Sequence, residues 1–316
     1  MQKPQAAMSL FDWALLLILS VLWGGSFFFS KIALSELPPF TVVLARVAIA
    51  AAALFIYLRA TRQAIPTATS VWVQFFGMGL LNNLIPFSLL LWGQTHIASG
   101  LASILNATTP MFSIMVAHFL ADDERITHNK VAGILSGFLG VALLMAGNAR
   151  ASRELPLPAL LACLTAALSY GFAGVFGRRF RRMGIAPAIG AFGQTATTTV
   201  MTIPIVLLVD EPWRFNLPGG LTIAALIGLG LISTALAYII FFHILAVGGA
   251  INSSLVTLLI PVSAILLGRL FLGETLAPNH FAGMALISLG LLLIDGRLLR
   301  LFRRTKKSSG KMSSLS

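Results

Sequence analysis

The chain has 316 residues, of which 57% are hydrophobic and only 10% are charged, against about 25% charged in an average soluble domain. These polar side chains are too few to cover a water-soluble globule, so the composition excludes a soluble enzyme, a disordered chain and a coiled coil. It also disfavours a transmembrane β-barrel, because barrel strands alternate in polarity over about ten residues.

Ten apolar segments follow one another along the chain, most of them about 20 residues long, which is the length of a membrane-crossing helix. Polar residues, prolines or glycines separate them, and the separations with the fewest charges lie at Gly93–His96 and His243–Gly249. The sequence therefore predicts an all-α membrane protein with ten transmembrane helices, at residues 11–34, 39–58, 71–92, 97–120, 129–147, 156–177, 187–209, 219–242, 246–271 and 279–299.

The basic residues predict the orientation of these helices, because Lys and Arg concentrate in cytoplasmic segments. The net charge is +12, from 22 Lys and Arg against 10 Asp and Glu. With the N-terminus inside, cytoplasmic segments hold 16 of the basic residues and outer segments hold five. We expect both termini in the cytoplasm and basic clusters at 178–182 and 297–311 that face anionic lipid. The first run, Trp13–Leu34, is too long for a signal-peptide core and should be retained.

The two halves of the chain are similar in sequence. Residues 77–110 align with 228–261 and residues 124–144 with 274–294, while Trp23-Gly24 aligns with Tyr170-Gly171. Each repeat has five predicted helices, and an odd number means that the second repeat enters the membrane from the opposite side. This is the inverted-repeat plan of secondary transporters. The predicted units are a cytoplasmic tail at 1–10, repeats at 11–147 and 156–299, an extracytoplasmic linker at 148–155 and a basic tail at 300–316.

Several motifs resemble the drug/metabolite transporter superfamily, in its EamA type. They are Trp23-Gly24 with Lys31, Arg46, the run PMFSIMVAHFLADDE, and the second-half runs ALAYIIFFHILA and IPVSAILLGRLFLGETL. The resemblance covers residues 11–296 and implies a bacterial inner-membrane exporter of amino acids or other small metabolites, with some members similar to exporters of aromatic amino acids. The repeats differ from each other where Asp122-Asp123-Glu124 aligns with Leu272-Gly273-Glu274 and where Phe87 aligns with Tyr238.

Ionisable groups within a membrane are costly and are therefore functional candidates. Arg46 could bind a substrate carboxylate, or it could be a structural residue paired with a carboxylate such as Glu36. Its equivalent in the second repeat, Gln194, carries no charge. The amides of Asn82, Asn83, Asn106, Gln194 and Asn252 must face protein or a water-filled cavity, and either environment is open.

Prolines and aromatic residues complete the candidate site. Pro110 and Pro261 occupy equivalent positions, where each would free a backbone carbonyl and interrupt its helix; a kink without a ligand is the alternative. Aromatic side chains could stack on a substrate or pack in the core. The predicted substrate-binding residues are Trp23, Arg46, Asn83, Phe87, Asn106, Tyr170, Gln194 and Tyr238. Gly133 and Gly137 form a G-x-x-x-G pair that indicates helix packing or a dimer contact.

No Asp or Glu lies in mid-span, and because an exporter of organic cations usually needs a buried carboxylate to bind the cation, this function is less expected. The residues that could titrate near neutral pH are His118 and His243. The sequence contains no recognised enzyme motif, and no cofactor is expected. Asp122-Asp123-Glu124 could bind a metal, but we interpret it as a solvated turn before a helix, so no metal site is expected. The predicted function is export of neutral or aromatic amino acids by alternating access. Alternatives are a multidrug, sugar-phosphate or lipid-like exporter and, in another class, a lipid-modifying membrane enzyme. Expected partners are a small-molecule substrate, membrane lipids and a second copy in a homodimer, but no nucleic acid.

Overall fold

The computed structural model describes residues 9–120, 127–150 and 156–295. At 145–150, 245–246, 248–255 and 295 it describes the backbone alone. The predicted turn Asp122-Asp123-Glu124, the basic tail, residues 1–8 and the side chain of Asn252 lie outside this description. The described elements are all helical, as the composition predicts.

The helices follow one another with short connections. In chain order they are α1 (Leu10–Ala33), α2 (Pro39–Ala60), α3 (Thr69–Gly79), α4 (Ile85–His96), α5 (Ser99–Asn106), α6 (Thr109–Leu120), α7 (His128–Arg150), α8 (Leu157–Arg182), α9 (Pro187–Ile205), α10 (Gly220–Ile227), α11 (Ala237–Phe271) and α12 (Pro278–Asp295). Three π-helical segments lie at Leu80–Leu84, Val206–Asp210 and Gly228–Leu236, and a short 3₁₀ helix at Pro212–Arg214.

Several helix ends follow from local sequence. Ser9 and Asp12 form a capping box at the start of α1. Pro39 and Pro187 occupy the first positions of α2 and α9, where a missing N–H costs no hydrogen bond. Helix α7 runs from His128 to Arg150, and the linker at 148–155 stays a prediction.

Seven helices in the described part of the chain are long and apolar enough to cross a membrane. Three shorter apolar helices accompany them, at His128–Leu144, Val256–Phe271 and Pro278–Ile294. The total of ten crossings stays a prediction, because the three shorter helices, within those bounds, are below the length of a full crossing.

Contacts with α1 support the separation predicted at His243–Gly249, because the chain changes direction between Ile244 and Val256. The residues on both sides of this reversal are helical and lie within the range of α11. Up to Ile244 successive residues contact earlier and earlier parts of α1, and after Val256 they contact later and later parts. The contacts are Gly228 with Phe29, Ser233 with Gly25 and His243 with Asp12, then Ser263 with Ser20, Leu267 with Gly25 and Phe271 with Phe28.

Close contacts between the two repeats occur in equivalent pairs. A Cβ atom built on Gly79 would lie 2.8 Å from the carbonyl oxygen of Gln194, and one built on Gly230 would lie 3.1 Å from that of Arg46. Gly79 is equivalent to Gly230, and Gln194 to Arg46. Likewise Gly77 meets Phe176, and Gly228 meets Phe29. Residues exchange partners in this way across a two-fold axis, so the repeats pack with approximate two-fold symmetry.

Helices α7 and α12 repeat this pattern in an antiparallel arrangement. A Cβ on Gly133 would lie 2.5 Å from the carbonyl oxygen of Gly290, and a Cβ on Gly140 would lie 2.7 Å from that of Gly283. Gly137 faces Met111 of α6. The glycine face of α7 therefore packs within the chain, and a dimer would have to use another surface.

Substitution of Gly140 by alanine should destabilise the protein, because the added methyl group forces α7 and α12 apart. We expect Gly140→Ala to lower the free energy of unfolding by about 1–3 kcal/mol. Gly174→Ala is the control, since no heavy atom lies within 4 Å of the corresponding Cβ and alanine is the better helix former. Thermal unfolding in detergent micelles measures both, and equal melting temperatures would contradict the close packing.

Candidate functional site

Two π-helical segments at equivalent positions flank the interior of the protein. Leu80–Leu84 precedes α4, and Gly228–Leu236 precedes α11. A π-helical segment widens the helix locally and frequently marks a functional position. In the first segment Pro86 cannot donate to the carbonyl of Asn82, and in the second the Thr234 hydroxyl donates to the carbonyl of Leu229 over 2.8 Å.

Polar side chains from both repeats meet at the first segment. The Asn82 amide donates to Oε1 of Gln194 over 2.8 Å and to the Tyr238 hydroxyl over 3.3 Å. The Tyr238 hydroxyl donates to Oδ1 of Asn83 over 3.1 Å, and the Asn83 amide donates to the Thr198 hydroxyl over 3.3 Å. These five residues form one hydrogen-bonded network between the repeats, which we call the amide network.

Arg46 lies at the second segment, buried with 8% of its surface exposed. Its Nε–H donates to the Thr234 hydroxyl over 2.9 Å, and its guanidinium carbon lies 3.6 Å from the centre of the Phe87 ring. Tyr170 and Tyr238 lie in the vicinity of its guanidinium. The terminal nitrogens of Arg46 make no hydrogen bond or ion pair with the residues that the structure describes, and Glu36 bonds instead to Gly219. The arrangement leaves a buried cation with donors available to an anion.

Two sites, one around Arg46 and one around Gln194 in the amide network, occupy equivalent positions in the two repeats and differ in chemistry. Arg46 contacts Thr234 in one site, and Gln194 contacts Asn82 in the other. The equivalent of Thr234 is Asn83, so both contacts join the same pair of helices in opposite repeats. Since only one of the two sites carries a charge, any anion-binding role is confined to the Arg46 side.

The predicted site residues divide into two groups. Arg46, Asn83, Phe87, Tyr170, Gln194 and Tyr238 lie in or beside these two sites. Trp23 packs on Phe241 with ring centroids 5.2 Å apart. Asn106 ends α5, and its buried side-chain oxygen has no partner among the described residues. Its backbone carbonyl, freed by Pro110, accepts a hydrogen bond from the Thr109 hydroxyl over 2.7 Å.

The prediction of matching interruptions at Pro110 and Pro261 requires correction. The chain leaves helical conformation between α5 and α6, next to Pro110, whereas α11 continues through Pro261. The interruptions that match between repeats are the π-helical segments. Pro86, which cannot donate to the carbonyl of Asn82, is the sequence signal for the first of them, whereas Ala237 occupies the equivalent position after the second.

Sequence reasoning did not select Asn82, Thr198 and Thr234 for the site, although all three take part in it. Threonine is easily passed over, because its hydroxyl commonly bonds to a carbonyl of its own helix. Thr198 does so with Gln194 over 2.7 Å. Its second role, as acceptor from Asn83, depends on the neighbouring helix and leaves no pattern in the sequence.

Two other features are separate from this site. An apolar groove between α1 and the second part of α11 is lined by Trp13, Leu16, Leu17, Leu258 and Leu259. No group of three His, Cys, Asp or Glu side chains that could hold a metal ion occurs in the part of the chain described here.

Comparison with known proteins identifies relatives along nearly the whole chain. The EamA-like transporter family matches at residues 12–146 and again at 157–295. The uncharacterized transporter YoaV of Bacillus subtilis is 24% identical over 87% of this chain and 93% of its own length. A probable amino-acid metabolite efflux pump of Salmonella typhimurium is 24% identical over 90% and 94% of the two chains.

Two further matches add to this. A probable terminal-alkyne amino-acid exporter of Streptantibioticus cattleyicolor is 28% identical over 67% of this chain and 69% of its own length. A crystal structure with 21% sequence identity superimposes with a TM-score of 0.66, covering 91% of this chain and 97% of its own. At that identity the structural match supports the fold.

The amide network predicts a specific effect of removing the Tyr238 hydroxyl. Tyr238→Phe leaves Asn82 and Asn83 each without one partner, so we expect a loss of about 1 kcal/mol in the free energy of unfolding. Tyr57→Phe is the matched control, because the Tyr57 hydroxyl makes no hydrogen bond with the described residues. Thermal unfolding in detergent compares them, and an unchanged melting temperature for Tyr238→Phe would show that the network is not stabilising.

Proposed function

Because the chain belongs to the EamA-like transporter family, we propose that it exports small metabolites, with neutral and aromatic amino acids as its substrates. It is an integral membrane protein with several helices long enough to cross a bilayer. Transport proceeds by alternating access between two inverted repeats of five crossings each, with the substrate bound between them. Relatives described as a probable amino-acid metabolite efflux pump and a probable amino-acid exporter support this substrate class.

The observation that carries the proposal is the environment of Arg46. A guanidinium binds a carboxylate through two parallel hydrogen bonds, and the terminal nitrogens of Arg46 are the donors left for them. The face of the guanidinium rests on Phe87, which holds it in place without neutralising its charge. The carboxylate of an amino acid supplies the missing countercharge.

The remaining site residues shape the rest of the pocket. Tyr170 and Tyr238 lie close to Arg46 and provide aromatic surface for the substrate side chain. The unpartnered oxygen of Asn106 can accept a hydrogen bond from the substrate ammonium. Asn83 and Gln194 hold the two repeats in register through the amide network, and Trp23 closes the pocket against Phe241.

We also propose an orientation and a driving force. Both termini face the cytoplasm, since the Lys and Arg residues concentrate on that side. The membrane is the bacterial inner membrane, which the family membership and the bacterial relatives support. The basic residues there contact anionic lipid headgroups. The substrate gradient drives export, because the described carboxylates lie at helix ends or in connections and none lies in mid-span to carry protons.

Counterflow in liposomes tests the proposal. Purified protein is reconstituted with a preloaded panel of unlabelled amino acids, and entry of labelled ones is followed with and without a pH gradient. We expect entry without a gradient that is selective for aromatic and branched amino acids. Entry that requires the gradient would implicate His118 and His243, and no entry for any amino acid would overturn the substrate class.

Arg46 variants test the carboxylate contact. Arg46→Gln should lower the initial rate at least about tenfold, because a hydrogen bond to a charged group contributes about 1.5–3 kcal/mol, and Arg46→Lys should retain part of the rate. Arg59→Gln, an exposed residue in the last turn of the same helix, is the control. Unchanged counterflow by a folded Arg46→Gln protein would contradict the role of Arg46.

A further inference from the structure

The carboxylates described by the structure are distributed unevenly. Five have described side chains, and four of them lie at the end of the bundle where α1 finishes and α2 begins: Glu36, Asp210, Glu211 and Glu274. Asp12 lies at the opposite end, bonded to Ser9 and facing His243. At the first end, Glu211 pairs locally with Arg214, while the other three bond to the opposite repeat.

Each of those three carboxylates binds the N-terminus of a helix in the other repeat. Oε2 of Glu36, in the first repeat, accepts a hydrogen bond from the backbone N–H of Gly219, which precedes α10, over 2.6 Å. Oδ2 of Asp210, in the second repeat, accepts from the backbone N–H and hydroxyl of Thr41 in the first turn of α2, over 2.6 and 2.7 Å.

Glu274 makes the most extensive of these contacts. Its carboxylate accepts hydrogen bonds from the backbone N–H and hydroxyl of Ser99, both over 2.8 Å, and from the N–H of Gly100 over 3.3 Å. Ser99 starts α5, so the carboxylate satisfies N–H groups that have no partner within the helix and lies at the positive end of the helix dipole.

Lys31 makes the adjoining connection rigid. Its ammonium donates to the carbonyl oxygens of Gln94 and Ile97 over 2.5 and 3.1 Å, at the end of α4. The two residues between α4 and α5 are thus held by Lys31 from their own repeat and by Glu274 from the other. Separation of the repeats at this end would have to move α4 and α5 together away from Glu274.

We propose that Glu36, Asp210 and Glu274 form a latch that closes one end of the transport pathway, and that this end opens only when the three contacts are released. With the orientation proposed above the latch faces outside, so the structure is the state closed to the outside. The hydrogen bond from Gly219 holds the pKa of the Glu36 carboxyl below its ordinary value. That carboxyl is therefore charged, and the contact complete, at neutral pH.

The latch is tested by a distance measurement that requires no substrate. In a Cys163→Ala background, which removes the single cysteine, spin labels are attached at Thr95→Cys and Leu217→Cys. Both positions are exposed, they lie in opposite repeats at the latch end, and neither takes part in the latch. Double electron–electron resonance in liposomes then reports the separation of the repeats.

Replacement of Glu36 and Glu274 by Gln and of Asp210 by Asn should add a population at longer distance, at least several-fold larger than in the parent. Glu211→Gln, which removes a carboxylate from the same end without touching the opposite repeat, should leave the distribution unchanged. An unchanged distribution in the triple variant would overturn the proposal. If the triple variant does not fold, Glu274→Gln alone should shift the distribution in the same direction by a smaller amount, because fewer hydrogen bonds then have to be released for this end to open, and no shift would overturn the proposal.

A crosslink provides the opposite perturbation. A short bifunctional thiol reagent that joins Ser99→Cys to Glu274→Cys should stop counterflow, while the same reagent across Glu211→Cys and Arg214→Cys, within one connection, should not. Counterflow that continues after complete crosslinking at Ser99 and Glu274 would overturn the latch. Since the distance measurement needs no substrate, it remains decisive even if amino acids prove to be the wrong substrate class.

Discussion

Close approach of helix backbones at glycine is the constraint on which the rest of this structure depends. In hydrocarbon there is no hydrophobic gain from bringing two apolar helices together, so association relies on tight packing and on interhelical hydrogen bonds. Gly79 brings α3 against α9, and Gly230, in the π-helical segment Gly228–Leu236, brings that segment against α2. Gly133 and Gly140 bring α7 against α12. Only at such distances can short side chains such as Asn83 and Thr198 reach each other.

The symmetry of the packing and the asymmetry of the chemistry have different consequences. The equivalent contacts between the repeats support the proposed alternating access, because a transporter with two inverted repeats can use the same kinds of contact in each of its two open states. The substitution of arginine for glutamine at one of two equivalent positions places a charge on one side only. In the proposed mechanism the substrate carboxylate therefore has one binding partner, Arg46, in both states.

Few charged side chains occur in the described helices, and the buried cation and the carboxylates lie in different parts of the protein. Arg46 is the buried cation of the interior, stabilised by a hydroxyl and an aromatic face. Glu36, Asp210 and Glu274 lie at helix N-termini, where unpaired N–H groups donate hydrogen bonds to them and offset their desolvation. Under the two proposals, the interior cation binds the substrate and the carboxylates at one end hold the repeats together.

The sequence by itself determined the helical class, the two repeats and most of the helix ends, because these depend on local hydrophobicity, on proline and on capping residues. It also pointed to Arg46, Gln194 and Tyr238, since polar groups are rare within apolar segments. Only the tertiary structure decided that Tyr238 bonds to Asn82 and Asn83, that Thr234 rather than Glu36 contacts Arg46, and that the matching interruptions are π-helical segments rather than the two prolines. The physical reason is that a hydrogen bond between helices depends on their relative rotation and spacing, which residues more than a hundred positions apart determine together.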